Sequence, residues 1–253
     1  MAKSSAHDLV MLPGIQLEQF GSTDELSKRA AELFVEQFSA RAHRSEPFIV
    51  ALSGGRVSQL FFRTLTAALR ASNLPLATLH FFWADERCVA PQDMDSNFAV
   101  ARSELFDPLG IPESQVHRIE GELPPDQAAI KAEAELCRIA PRTLSGQPLI
   151  DLLILGMGED GHSASLFPNE TEKAQSSPAI YRHVVVPKPP PNRITLGFPT
   201  IAAARTVLAM VSGTNKHRPL KSASTPECQS PFAKILRSRR TDGTTLVLTD
   251  FPV

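Results

Sequence analysis

Short apolar runs recur along the chain, and most are followed by a segment whose apolar positions have helical spacing. The longest such runs predict buried strands at residues 48–52, 79–84, 150–155 and 206–211. Shorter runs predict a first strand at residues 17–20 and a last strand at residues 244–248. Continuous apolar strands of this kind are typical of a parallel sheet covered on both faces.

The segments between these strands predict helices. Ser22 or Thr23 can cap a first helix, whose apolar positions recur at helical spacing: Leu26, Ala30, Leu33, Phe34 and Phe38. Further helices are predicted at residues 57–71, 96–106 and 126–139. The alternation predicts one α/β domain over residues 1–253, with a mostly parallel sheet and helices on both faces.

In such sheets ligands bind beyond the carboxyl ends of the strands, so the loops that follow the strands indicate the site. Ser53, Gly54, Gly55 and Arg56 follow a predicted strand and open a predicted helix. Backbone N–H groups and the helix dipole could there bind an anion such as phosphate. A simple tight turn explains the glycine pair equally well.

A second polar cluster, Asp85, Glu86 and Arg87, follows the strand predicted at residues 79–84. Two carboxylates beside a guanidinium can orient a water or a sugar hydroxyl while Arg87 binds negative charge. Taken alone, the cluster is more often a solvated group of surface ion pairs. Its place after a strand favours a role in the site.

The loop at residues 156–162 is the most informative segment. Its glycines, Gly158 among them, allow tight turns and close approach to a ligand, and Asp160 and His162 can form a carboxylate–imidazole pair. A histidine with a pKa near about 6.5 can accept a proton at neutral pH. His162 is therefore the candidate general base.

Cations later in the chain could complete an anion site. Arg193 and Lys216 lie near predicted strand ends, whereas Lys188 is expected to be a solvated surface charge. Residues 187–191, which include four prolines, predict a stiff extended loop. The basic run at residues 237–240 is expected to form a solvated face.

Composition narrows the class of protein. The net charge of −1 gives no global field to attract nucleic acid or an anionic membrane. Three cysteines without a CxxC pair argue against disulfides and zinc, and no nucleotide-binding or nucleophile-elbow motif occurs. The apolar patch in residues 1–14 is too short for a signal peptide, so we expect a cytoplasmic protein. From the absent motifs we expect no cofactor or metal, and water activated by a base as the nucleophile.

Together these segments resemble the 6-phosphogluconolactonase family, which shares a superfamily with the glucosamine-6-phosphate isomerases. The resemblance spans roughly residues 48–220. It rests on residues 52–55, 83–89, 95–97, 156–168 and 187–195, and on Gly213 and Lys216.

The resemblance implies a Rossmann-like α/β fold and hydrolysis of 6-phosphoglucono-δ-lactone in the pentose phosphate pathway, without a metal or nucleotide. It implies that His162 takes a proton from water, that Asp160 or Asp85 orients it, and that Arg87 stabilises the developing charge. The implied substrate and phosphate contacts are Ser53, Gly54, Gly55, Arg56, Gly158, Arg193 and Lys216.

The sequence departs from the family pattern at two places. Residues 56–58 read Arg-Val-Ser where the family commonly has threonine or serine followed by proline, and residues 230–233 only loosely match a leucine-proline-alanine segment. An amino-sugar-phosphate isomerase or deaminase stays open as an alternative, as does a sugar-phosphate sensor without activity. The protein is expected to be a monomer or small homo-oligomer.

Overall fold

Nine strands form two sheets in the computed structural model, which describes residues 14–252. The strands are β1 (Ile15–Gln19), β2 (Phe48–Leu52), β3 (Leu79–Trp83), β4 (Asp85–Arg87), β5 (Leu152–Gly156), β6 (Tyr181–Val185), β7 (Asn192–Leu196), β8 (Thr206–Val211) and β9 (Thr244–Thr249). Six of them pair in parallel in the order β1-β9-β8-β5-β2-β3. All six predicted strands are confirmed, with ends displaced by at most two residues.

The α-helices connect these strands. They are α1 (Thr23–Ser39), α2 (Arg56–Ser72), α3 (Asn97–Ala101), α4 (Asp107–Leu109), α5 (Pro125–Ile139), α6 (Glu172–Gln175), α7 (Phe198–Ala203), α8 (His217–Ala223) and α9 (Pro231–Arg237). A π-helical turn at Arg102–Phe106 joins α3 to α4. The four predicted helices are confirmed, the third as this composite.

Helices cover both faces of the main sheet, as predicted. Leu208 and Met210 of β8 pack in the large core that includes apolar side chains of α1 and α2. Ala209 and Val211, which point to the opposite face because side chains alternate along a strand, pack in a second core with α8 and α9. From Val207 onward the strand is apolar because both of its faces are buried.

The second sheet was not predicted. It contains β4, β7 and β6, which pair in antiparallel fashion. β4 begins two residues after β3 ends, in the segment expected to be a polar loop. Its three residues, Asp85, Glu86 and Arg87, are all charged, so no apolar period marked them as a strand.

Two predictions for polar or proline-rich segments were wrong. The loop at residues 187–191 is not extended: the N–H of Val186 donates to the carbonyl of Pro191 at 2.8 Å and folds the segment back between β6 and β7. In the basic run, Arg239 is not solvated. Its guanidinium donates to carbonyls of Ile201, Ala202 and Ala204, and burial lowers its pKa to about 10.

The expectations for the first thirteen residues lie outside the described part of the chain, and the single domain stays a prediction. None of the helices between residues 14 and 252 is long and apolar enough to cross a membrane.

A buried carboxylate fastens the amino-terminal edge of the main sheet. Asp151, just before β5, accepts a hydrogen bond from the N–H of Ile49 at 2.9 Å and pairs with Arg41 and, at 3.1 Å, with Arg205. Its own backbone bonds to Ile49 and Thr206. One side chain thus fixes the relative positions of β2, β5 and β8 at the edge opposite their carboxyl ends.

We expect Asp151→Ala to lower the free energy of unfolding by about 3 kcal/mol or more, because it leaves a buried N–H and two cations without their carboxylate. Denaturant unfolding measures the loss. The matched control is Glu36→Ala, which removes an exposed partner of Arg29 and should cost about 1 kcal/mol or less. Equal losses for the two variants would contradict the role of Asp151.

Candidate active site

A cavity of about 530 Å³ opens at the carboxyl edge of the main sheet, beside β4 and β7. Ten of the eleven residues predicted for the site line it. They are Ser53, Gly54, Gly55, Arg56, Asp85, Arg87, Gly158, His162, Arg193 and Lys216. The eleventh, Asp160, contacts His162. The structure therefore brings together loops that are up to about 160 residues apart in the chain.

The first loop presents the amino end of a long helix. α2 begins at Arg56, and Gly55 precedes it with a φ of 119°, in the region that favours glycine. No side chain caps the first N–H groups of α2. A Cβ atom on Gly54 would lie 1.8 Å from Oδ1 of Asn97, so this position requires glycine. The result is an uncapped helix terminus facing the cavity, which favours an anion.

β4 and β7 form the wall beside this loop. In their antiparallel register Asp85 lies opposite Thr195 and Arg87 opposite Arg193. Residues two apart share a face, so Asp85, Arg87 and Arg193 all reach the cavity. Asp85 is only 4% exposed and Glu86 2%. The alternative of a solvated surface cluster is therefore wrong.

Glu86 points to the other face of β4, where it anchors α3. Its carboxylate accepts hydrogen bonds from the N–H groups of Asn97 and Phe98, each at 2.8 Å, and from the hydroxyl of Ser96 at 3.2 Å. Burial raises the pKa of Glu86 to about 7, against these bonds, which lower it. Asn97 in turn lies against Gly54 and donates to the carbonyl of Asp85 at 2.8 Å.

The Asp160–His162 pair is formed as predicted. Oδ1 of Asp160 contacts Nδ1 of His162 and also accepts its backbone N–H at 3.2 Å. Burial raises the pKa of Asp160, but the contact with His162 outweighs it and brings that pKa to about 2. An ionised carboxylate only accepts, so Nδ1 carries the proton and Nε2 keeps a free lone pair.

The environment keeps this imidazole neutral at physiological pH. Burial lowers the pKa of His162, and the neighbouring Asp160 raises it less. The carboxylate of Asp85 is instead engaged by two serine hydroxyls: it accepts hydrogen bonds from Ser165 at 2.7 Å and Ser53 at 3.4 Å. Asp160 is thus the carboxylate that orients His162, a choice that the sequence left open.

The loop of Lys216 is fixed from a direction that the sequence did not indicate. Gly213 has a φ of 98°, and its N–H donates to Asp250 at 2.8 Å. The same carboxylate accepts hydroxyl protons from Ser212 and Thr23, both of which line the cavity. Burial lowers the pKa of Lys216. This polar network lies at the end of β9 and has no motif of its own.

Four cations face the cavity, namely Arg56, Arg87, Arg193 and Lys216, whereas Asp85 is the one carboxylate among the described residues that line it. Such an excess of positive charge suits a dianion. Arg193 is partly engaged, because its guanidinium donates to the carbonyls of Pro190, Pro189 and Lys188 at 3.1–3.5 Å. It therefore shapes the proline loop as well as the cavity wall.

Comparison with known proteins agrees with this geometry. Residues 21–246 match the model of a family described as glucosamine-6-phosphate isomerases/6-phosphogluconolactonase. The 6-phosphogluconolactonase of Haemophilus influenzae is 33% identical over 213 residues, which are 83% of this chain and 88% of that protein. The human 6-phosphogluconolactonase is 34% identical over 228 residues, 88% of this chain and 86% of that protein.

The chain belongs to the glucosamine-6-phosphate isomerase/6-phosphogluconolactonase family. A solved structure of the 6-phosphogluconolactonase from Trypanosoma cruzi superposes with a TM-score of 0.80 at 27% identity, covering 95% of this chain and 96% of that one. The resemblance and the α/β fold expected from the sequence are both confirmed.

The structure shows how this family member accommodates its unusual turn. Ser58, the hydroxyl nearest to the family's position, is only 3% exposed and does not line the cavity, whereas Arg56 does. At this turn the cavity is therefore lined by a guanidinium and not by the hydroxyl of Ser58. The loosely matching segment at residues 230–233 starts α9, and the N–H of Phe232 donates to the carbonyl of Gly161 at 3.0 Å.

We expect Asp160→Asn to lower the pKa of His162 further, because a neutral amide no longer stabilises the imidazolium. An NMR titration of the histidine ring protons measures this pKa, with His162→Gln used to assign the resonance. The control is Asp242→Asn, which neutralises a carboxylate that pairs with Arg240 and does not line the cavity. An unchanged or higher pKa in Asp160→Asn would show that Asp160 does not carry the interaction.

Proposed function

We propose that this protein hydrolyses 6-phosphoglucono-δ-lactone to 6-phosphogluconate, a step of the pentose phosphate pathway. The relatives from Haemophilus influenzae and human are named 6-phosphogluconolactonases. The observation that carries the proposal is a single cavity that holds both an aspartate-oriented histidine and an uncapped helix terminus with surrounding cations. One group suits the reaction and the other the phosphate.

In the proposed mechanism, His162 is the general base. Its Nε2 accepts a proton from water while the water oxygen attacks the lactone carbonyl carbon. The imidazolium that forms is stabilised by Asp160, which keeps the proton on Nδ1. The ring C–O bond then breaks as the tetrahedral intermediate collapses, and the leaving ring oxygen takes a proton, which the imidazolium can return.

Arg87 is proposed to stabilise the negative charge that develops on the carbonyl oxygen. A guanidinium has five N–H donors, and the carbonyl of Asp95 accepts from one of its terminal nitrogens. Donors already in place cost no reorganisation during the reaction. Asp85, buried against Ser53 and Ser165, is proposed to accept a hydrogen bond from a substrate hydroxyl.

The phosphate is proposed to bind at the start of α2. The backbone N–H groups of residues 53–55 and the helix dipole favour a dianion there. Lys216, in the turn that follows β8, and Arg193, on β7, supply positive charge, and Arg56 adds a further donor. Gly158 lets the backbone of the histidine loop approach the substrate.

We further propose a cytoplasmic, single-domain enzyme that acts as a monomer or small homo-oligomer without nucleic acid or membrane as partner. Three free cysteines suit a reducing compartment, and the net charge of −1 offers no general attraction to polyanions.

The decisive experiment is a continuous assay on freshly generated 6-phosphogluconolactone, corrected for spontaneous ring opening. Faster acid production than in the blank supports the proposal. Release of ammonia from glucosamine 6-phosphate without lactone hydrolysis would favour the deaminase alternative. Tight binding of 6-phosphogluconate without turnover of either compound would favour a sensor.

We expect His162→Ala to lower kcat by about 10²–10⁴, with KM little changed, because the variant loses proton transfer but keeps the phosphate contacts. Steady-state kinetics on the lactone provide both constants. A variant that works at the wild-type rate would refute His162 as the base.

We expect Lys216→Ala to raise KM about tenfold with a smaller effect on kcat, because the lost contact is to a charged group remote from the carbonyl. The control is Lys221→Ala, an exposed lysine further along α8. A loss confined to kcat would place Lys216 at the reacting end of the substrate instead.

A further inference from the structure

Lys188 lies beside the catalytic pair, although the sequence suggested a solvated surface charge. Its Nζ is 3.3 Å from Oδ2 of Asp160, and 49% of its side chain is exposed. The carbonyl of Lys188 accepts a hydrogen bond from buried Arg193. The loop that carries this lysine is therefore held in place by the cavity wall.

An aromatic ring links the same residues. The ring of Phe167 stacks on the imidazole of His162, with centroids 4.3 Å apart and planes inclined by 10°. Nζ of Lys188 lies 5.5 Å from the centroid of Phe167. Phe167 is itself buried in a small cluster with Val184 and Val186. The base is thus packed against an aromatic face that Lys188 also contacts.

The two oxygens of Asp160 are divided between two partners. Oδ1 contacts Nδ1 of His162, and Oδ2 faces Lys188. A carboxylate held at both oxygens cannot rotate freely, so the direction of the Asp160–His162 contact is fixed. Phe167 restricts the tilt of the imidazole and Lys188 restricts the carboxylate that orients it.

We propose that Lys188 is a positioning residue for the reaction, which holds Oδ2 of Asp160 while Oδ1 contacts the imidazole of His162. This inference rests on the proposed function and extends it to a residue outside the cavity. Lys188 is not among the residues that line the cavity, unlike Arg56, Arg193 and Lys216. Its charge therefore acts on the base, whereas theirs is available to the phosphate.

The direction of the electrostatic effect follows from the charges around His162. Asp160 and Asp85 stabilise the imidazolium, whereas Lys188 destabilises it and so lowers the pKa of His162 together with burial. The charges of Asp160 and Lys188 also act on Lys216: Asp160 raises the pKa of this lysine and Lys188 lowers it. Without Lys188, Oδ1 of Asp160 still accepts the backbone N–H of His162 at 3.2 Å and stays beside the ring. The main effect of removing Lys188 is therefore the loss of its positive charge, so His162 binds its proton at higher pH.

The test is Lys188→Met, which keeps the aliphatic side chain and removes the charge. We expect the acidic limb of the pH profile of kcat/KM to move to higher pH. At mildly acidic pH, kcat/KM of the variant should fall about threefold or more below its own plateau value. KM should change little. Lys188→Arg should restore most of the profile, and Lys173→Met, at an exposed lysine of α6, should match the wild type.

An NMR titration of the His162 ring gives a readout that needs no substrate. A raised pKa of His162 in Lys188→Met, with unfolding and circular dichroism like those of the wild type, supports the inference even in a protein that does not hydrolyse the lactone. An unchanged pKa and acidic limb overturn it. A large rise in KM with an unchanged limb also overturns it, because Lys188 would then be a phosphate contact.

The same measurements separate this inference from the proposed function. A wild-type protein without lactonase activity refutes the function but leaves the titration of His162 interpretable. An active wild type with an unaltered Lys188→Met variant refutes only the role of Lys188.

Discussion

The parallel pairing of β2, β5 and β8 is the constraint on which the site depends. Parallel strands end at the same edge, so the three loops that follow them must converge there whatever their separation in the chain. Asp151 fixes the opposite edge through its bonds to the neighbouring strands. The sheet therefore fixes the distances between these three loops, whatever side chains the loops carry.

The small antiparallel sheet adds what a parallel sheet does not supply. Side chains of β4 point alternately to its two faces, so Asp85 and Arg87 line the cavity while Glu86 anchors α3 on the other face. A three-residue strand of charged side chains is stable here because each one finds partners: serine hydroxyls, helix N–H groups or a backbone carbonyl. Side chains that face the cavity and side chains that support the fold thus come from adjacent residues.

Charge in the cavity is divided between two places. The uncapped start of α2, Arg56 and Lys216 create a positive potential that suits an anion. At His162, burial lowers the pKa of the imidazole and the neighbouring carboxylates raise it. Arg56 adds a guanidinium beside this terminus, and a guanidinium can donate several hydrogen bonds to one anion.

The sequence alone determined the parallel strands, four of the helices and ten cavity residues, because long apolar runs and glycine loops are local signals. It did not indicate the short helices α6 to α9. It could not show β4, the burial of Arg239, the position of Asn97 or the network of Asp250 with Thr23, since these depend on partners distant in the chain. Only the tertiary structure decided that Asp160, and not Asp85, contacts His162, and that Lys188 faces Asp160. Side-chain pairing of this kind is set by how the loops pack, and no spacing along the chain encodes it.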